Sequence, residues 1–309
     1  MDRKRIGIVL VTIIVMLVLI LSLPAVSGNS FVTSKGPGGK IVYLSDESGG
    51  REIYLLDLDK NDILRLTNNA SEDYSPAYIP ALNRIGFVSD REEGTNVFTM
   101  NLDGSDQQTV FPQSLLIDYP DWSPDGKWIA ASFTEGCTEE EPACEFDLFI
   151  LDPAQFLVSQ LSDTVESEWV PQWSPDGQKI AFASDRDGDS EIYVIDGDGY
   201  NLVQLTNNFG YDGRPRWSPD GSMLSFETDQ AGGDWDIFVM NADGSHPRAV
   251  TVNTDSDEWM QFWSPDGGWL VFVSNLDGDY EIYIIDVNGR NQQRLTSNDF
   301  SDESPVWIP

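Results

Sequence analysis

Between Lys179 and Thr206 apolar and polar positions follow a short rhythm broken by turns. Lys179-Ile-Ala-Phe-Ala-Ser184 alternates apolar with small or polar side chains, as a strand does. Asp185-Arg-Asp-Gly-Asp-Ser190 is a loop of Gly and Asp, and Glu191-Ile-Tyr-Val-Ile-Asp196 is a second strand, so the three segments predict a hairpin. Gly197-Asp198-Gly199 turns the chain again, and Leu202-Val-Gln-Leu-Thr206 is a further strand. Ahead of them, Pro171-Gln172-Trp173 is a short extended run. Ser174-Pro175-Asp176-Gly177 carries Pro second and Gly fourth, which suits a type I turn. The unit is therefore four antiparallel strands joined by tight turns.

This unit recurs. Trp-Ser-Pro-Asp-Gly stands at Trp122–Gly126, Trp173–Gly177, Trp217–Gly221 and Trp263–Gly267, and Trp307 continues the series. The steps between tryptophans are 51, 44, 46 and 44 residues, and Tyr78 extends them back by another 44. A fixed period in the forties with four strands per unit matches a propeller blade. Units beginning near Ser75, Pro120, Pro171, Pro215 and Gln261 make five complete blades. Residues 40–67 provide three strands of another, and Ser304-Pro-Val-Trp-Ile308 supplies its missing inner strand. The expected fold is all-β: a six-bladed propeller of four-stranded antiparallel blades, closed when the C-terminal strand joins the first blade. On this reading the repeated pentapeptide is architectural. Its tryptophan packs between sheets and its Ser-Pro-Asp-Gly makes the turn to the second strand.

The N-terminus follows another pattern. Met1-Asp2-Arg3-Lys4-Arg5 is basic, Ile6 to Leu23 is an uncharged run of 18 residues, and Pro24-Ala25-Val26-Ser27-Gly28 is small and turn-forming. That order is a secretory signal's. The run also approaches the ~20 residues of a membrane span, so residues 1–27 are either a signal peptide or an uncleaved N-terminal signal anchor. Both readings place residues 28–309 outside the cytoplasm, in the periplasm or at the cell surface, because the positive residues stay inside. Residues 28–38 are a linker and 39–309 the propeller.

The formal net charge is −34. Such a surface repels nucleic acid and anionic membranes and suits a soluble envelope protein, a cation binder or a partner for basic peptides. The expected state is a monomer. The two cysteines, Cys137 and Cys144, sit on one loop and are expected to form a disulfide outside the cytoplasm.

Several adjacent segments recur in order in most units: Trp-Ser-Pro-Asp-Gly, Lys179–Gly188, Glu191–Asp196 and Gln204-Leu-Thr206. They resemble the TolB-type, WD-like propeller repeat over roughly residues 38–309. Blade 2 departs with Ile79-Pro80-Ala81-Leu82-Asn83 at the turn, blade 3 with the cysteine loop, and blade 6 with Gln261 for the usual proline. The resemblance implies an extracytoplasmic ring whose channel mouth receives peptide segments of partner proteins. The chain is expected to be a stand-alone propeller without the TolB N-terminal α/β domain.

Catalytic signatures are absent from the sequence. There is no Gly-x-Ser-x-Gly elbow, and the single histidine, His246, lies in the turn Asp243-Gly-Ser-His-Pro247. A site of the His-Glu-x-x-His type needs two histidines. Calcium is the open question. Asp185, Asp187 and Asp189 occupy loop positions 1, 3 and 5, but Ser190 stands at position 6 and Asp196 at position 12, where a calcium loop needs Gly and Glu. Asp277 and Asp279 form a shorter version in blade 6.

A second recurrence precedes the inner strands. Asp73-Tyr74, Asp118-Tyr119, Glu168-Trp169 and Glu258-Trp259 pair an acid with a ring, Tyr211-Asp212 reverses the pair, and Asp302-Glu303 lacks the ring. These residues are expected to line one mouth of the channel. Either they offer an interface for a peptide with Lys or Arg, or the rings pack between blades and the acids solvate the rim. Two function classes follow. One is a non-enzymatic propeller that captures a protein segment at an acidic, aromatic mouth. The alternative is a calcium-dependent lactonase-type hydrolase, which needs carboxylates and an Asn converging on one ion at about 2.3–2.6 Å.

Overall fold

A computed structural model describes residues 37–92, 94–112, 117–133, 145–162, 164–230, 233–252 and 255–309. The N-terminal segment 1–36, Cys137 and Cys144 lie outside the described residues. Blade 1 contributes β1 (Lys40–Ser45), β2 (Glu52–Asp57) and β3 (Asp62–Arg65). Blade 2 is β4 (Asp73–Ile79), β5 (Arg84–Glu92), β6 (Gly94–Met100) and β7 (Gln108–Thr109). Blade 3 is β8 (Asp118–Trp122), β9 (Ile129–Phe133), β10 (Asp147–Asp152) and β11 (Leu157–Gln160). Blade 4 is β12 (Glu168–Trp173), β13 (Lys179–Ser184), β14 (Glu191–Asp196) and β15 (Val203–Gln204). Blade 5 is β16 (Asp212–Trp217), β17 (Met223–Thr228), β18 (Asp236–Asn241) and β19 (Arg248–Ala249). Blade 6 is β20 (Glu258–Trp263), β21 (Trp269–Ser274), β22 (Glu281–Asp286) and β23 (Gln293–Arg294).

The last strand, β24 (Asp302–Ile308), is the inner strand of blade 1. It pairs antiparallel with β1, placing Ile308 opposite Lys40 and Trp307 opposite Ile41. Each inner strand also contacts the next, from β24 through β4, β8, β12, β16 and β20 back to β24. The expected six-bladed ring and its closure are both present.

The pentapeptide repeat explains itself locally. In blade 4 the Gly177 N–H donates to the Ser174 carbonyl at 2.8 Å, and Gly177 has φ 69°, which glycine adopts at little cost. The Ser174 hydroxyl donates to Asp176 at 2.6 Å and accepts the Lys179 N–H at 2.9 Å. Ser123/Asp125, Ser218/Asp220 and Ser264/Asp266 repeat the arrangement. Each tryptophan then packs against the preceding blade. Trp263 Nε1 donates to the Arg216 carbonyl at 3.0 Å, and Trp217 Nε1 to the Gln172 carbonyl at 3.3 Å.

Candidate functional site

The channel is built by a defect shared by all six inner strands. In each, the ladder slips just before the tryptophan position, between Tyr74 and Ala77 in blade 2 and at the equivalent places elsewhere. A proline sits in the slip in five blades: Pro76, Pro120, Pro171, Pro215 and Pro305. Proline has no N–H for the ladder and is tolerated at such bulges. In blade 6 Gln261 replaces it, and its Nε2 donates across to the Arg214 carbonyl at 2.8 Å. The residue before the slip proline (or Gln261) takes positive φ in every blade: Ser75, Tyr119, Val170, Arg214, Met260 and Ser304, at 46° to 54°. A β-branched residue such as Val170 pays for that conformation. All six of these residues line the central cavity of about 90 Å³.

Above that cavity, and sharing Tyr119, Val170, Arg214 and Met260 with it, lies a wider pocket of about 390 Å³. Its walls are aromatic. Trp169 stacks on Tyr211 at 6.2 Å between centroids, and Tyr211 meets Trp235 edge-on at 5.2 Å. Trp259 and Tyr119 complete the wall. Tyr119 and Tyr211 are 38% and 39% exposed, large values for rings beside a core. Of the rings expected at this mouth, the structure brings together Tyr119, Trp169, Tyr211 and Trp259. Tyr74 does not line this pocket; it packs against the core of blades 1 and 2 and meets Thr95 at 3.1 Å. Trp235 was not foreseen. It closes the blade 5 hairpin loop, and only a reading of which hairpins face the mouth would have found it.

The carboxylates take a different place from the one the sequence pattern suggests. Asp73, Glu168, Asp212, Glu258 and Asp302 are each 0% exposed. They are locks between blades. The Asn69, Asn208 and Asn298 side-chain amides donate to Asp73, Asp212 and Asp302 at 3.0, 2.6 and 2.8 Å. The N–H groups of the same asparagines donate to Glu52, Glu191 and Glu281 of the preceding blade. Glu168 is held by Ser162, Thr164 and Arg186, and Glu258 by Ser256 and Ser274. A buried carboxylate requires such donors. Burial pushes the Glu191 and Asp212 carboxyls upward and brings Asp302 up to about 6. Glu303 stays partly exposed and pairs with Arg51 at 3.6 Å. Asp118 begins β8 one place later in the repeat than the other acids, where Ile117 holds the locking position and is buried. Aligning on the ring rather than on the tryptophan merged two registers.

The charges that do reach the channel are others. Arg214 lies 5.0 Å over the Tyr119 ring, and its Nε is 3.4 Å from Glu227. Glu227 is nearly buried and accepts the Met260 N–H of the next blade. Deeper, Arg216 lies 5.6 Å over Phe262. Asp121 accepts the Trp173 N–H at 2.7 Å, and desolvation brings its carboxyl up to about 6, with Arg216 pulling the other way. The signal in the sequence was Arg214-Pro215-Arg216, a basic pair at channel positions that hold no base in any other blade.

Six of the hairpin carboxylates are engaged with the protein. Asp46, Asp90, Asp185 and Asp229 accept the N–H groups of Ser301, Glu72, Ser167 and Tyr211 at 2.6–2.9 Å, fastening each crossing loop. Asp187 accepts from Gln204, and Asp277 from Tyr283 and Arg294. Among the described residues no group of three or more His, Cys, Asp or Glu is arranged to hold a metal ion. His246 is exposed on its turn and contacts Asn241 and Ser245.

A family model described as the TolB beta propeller domain matches residues 25–168 and 120–309. The chain belongs to the TolB β-propeller domain family. A protein TolB homolog of Chlorobium chlorochromatii is 42% identical over 226 residues, covering 72% of this chain and 49% of that protein. This chain thus spans about half of that relative. TolB from Acinetobacter baumannii superimposes with a TM-score of 0.73 at 19% identity, over 87% of this chain and 66% of that one. An oligogalacturonate lyase in complex with manganese shares the fold, with a TM-score of 0.59 at 17% identity over 85% of this chain and 75% of that one.

Proposed function

We propose that this TolB-family propeller is an extracytoplasmic, non-enzymatic binding module that captures a segment of a partner protein in the aromatic mouth. The observation that carries the reading is the open pocket of about 390 Å³ walled by Tyr119, Trp169, Tyr211, Trp235 and Trp259. Two of these rings, Tyr119 and Tyr211, are exposed and the three tryptophans are partly so, and aromatic side chains on a rigid scaffold are among the residues that dominate binding energies at protein interfaces. The strained bulges beneath them fit the same reading, since such backbone collects at ligand-binding sites. Membership of the TolB family supports an extracytoplasmic setting and a protein partner. The lactonase alternative gains no support, because Asp185, Asp187 and Asp277 accept from protein donors.

The test is capture from an envelope extract of the source organism by the full chain, immobilised through its N-terminus. A parallel column carries Tyr119→Ala, Trp169→Ala and Trp259→Ala together. One protein is expected to be retained on the first column and reduced at least about tenfold on the second, since ring truncations at a hot spot commonly cost about 2 kcal/mol. Equal retention on both columns, or none on either, contradicts the reading.

A further inference from the structure

The structure assigns a second element to this mouth: we propose that the captured segment carries a carboxylate, received in the channel by Arg216. The proposal rests on the binding reading above and adds the chemistry of the ligand.

Four charged side chains are grouped in and around the channel: Arg214, Arg216, Asp121 and Glu227. Three already have partners. Arg214 pairs with Glu227 at 3.4 Å, and Asp121 accepts from the Trp173 backbone at 2.7 Å. Arg216 is different. Its guanidinium forms no ion pair within 4.0 Å and donates no hydrogen bond among the described residues, resting instead on Phe262 at 5.6 Å. A guanidinium carries five N–H donors and matches a carboxylate with two parallel bonds. One that is half-buried in a channel, with the Asp121 carboxylate acting on it only from beyond 4.0 Å, is a receptor for an anionic group. The cavity it faces, about 90 Å³, is small. One water takes on the order of 10–15 Å³ of such space, so the cavity admits the end of a side chain or of a peptide.

The aromatic pocket opens directly above, sharing Tyr119, Val170, Arg214 and Met260 with this cavity. A ligand that anchors an aromatic or aliphatic side chain among the rings therefore places its neighbouring carboxylate toward the arginines. This reverses the charge expected from the acidic recurrence, whose carboxylates are locked inside the blades.

The experiment pans a phage library of random peptides against the full chain, with Arg216→Gln, Asp121→Asn and the triple aromatic variant in parallel. Each variant is first checked for a native circular-dichroism spectrum and melting transition. Peptides recovered on the native chain are expected to join an aromatic or aliphatic residue to Asp, Glu or a free C-terminus. Their synthetic versions should bind Arg216→Gln about tenfold to a hundredfold more weakly, as expected for a lost charge-assisted bond. Asp121→Asn, which removes the competing carboxylate, should bind them more tightly. Replacing the peptide's acid by its amide should weaken binding to the native chain and leave binding to Arg216→Gln unchanged. That arm holds even if Arg216→Gln folds poorly, because the native chain alone shows the first half. Amidating the peptide's C-terminus separates a terminal from a side-chain carboxylate. Peptides that need the rings but carry Lys or Arg, or that ignore Arg216→Gln, overturn the carboxylate assignment and leave the mouth reading intact. If peptides ignore the triple variant, or none is recovered, the mouth reading falls and this assignment with it.

Discussion

Removal of residues 304–309 is expected to abolish the cooperative melting transition of the whole ring. The segment contains Ser304–Ile308 of β24 (Asp302–Ile308), the inner strand of blade 1. Val306, Trp307 and Ile308 are 5%, 2% and 0% exposed. Trp307 belongs to the core shared by blades 1 and 6, and Val306 and Ile308 to the core shared by blades 1 and 2. Truncating one buried tryptophan costs about 3–5 kcal/mol, and an entire domain has only about 5–15 kcal/mol to lose. The deletion also bares the edge of β1 at Lys40, Ile41 and Val42, which pair with Ile308, Trp307 and Val306, and an unpaired edge invites aggregation. Circular-dichroism melting of the full chain and of a chain ending at residue 303 decides the matter. An unchanged melting temperature would show that the ring does not depend on closure by its last strand.

Arg186→Met is expected to be strongly destabilising although it lies outside the apolar core. Arg186 donates to Glu168 at 2.8 Å and to the Ser184 hydroxyl at 3.1 Å, and covers the Tyr193 ring at 4.7 Å. Arg91 does the same for Asp73 in blade 2. Without Arg186 the fully buried Glu168 keeps, among the described residues, the donors Ser162 and Thr164. Breaking a buried pair by removing one partner costs about 3–5 kcal/mol near neutral pH. The pH dependence identifies the cause. Burial already holds the Glu168 carboxyl above its ordinary 4.5, and loss of Arg186 raises it further. A carboxyl whose folded value is raised binds its proton more tightly when folded. The penalty is therefore present at high pH and shrinks as pH falls toward 4.5. The native chain has the same sign at Asp302 and Asp121, which lose stability as pH rises from about 3.8 to about 6. Adding Glu168→Gln should restore most of what Arg186→Met loses. A deficit in urea unfolding that ignores pH would assign the loss to packing on Tyr193 instead.

How much of this was legible beforehand follows from what each residue answers to. The blades were readable because turn chemistry is local: Ser, Asp and Gly each satisfy a bond within five residues of themselves. Ring closure was readable by counting strands. The mouth was half readable. Trp169 and Trp259 stood out as rings in a recurring place, and the structure puts them there. The acids beside them were misread because one residue's difference along a strand reverses the face it occupies. Asp212 and Tyr211 are neighbours in sequence, yet one is 0% and the other 39% exposed. Trp235 and Arg216 were missed for another reason. Their importance lies in what other blades place opposite them, and sequence periodicity reports only on a residue's own blade.

The central claim is that partner binding happens at the aromatic mouth. Site-specific photo-crosslinking tests it most directly. A benzophenone amino acid would replace Tyr211 at the mouth or Trp128 beside the turn on the opposite face, both 39% exposed in the native chain. Irradiation of intact cells is expected to join position 211, and not position 128, to a discrete protein partner. Equal adducts at both positions, or none at 211, would contradict the account.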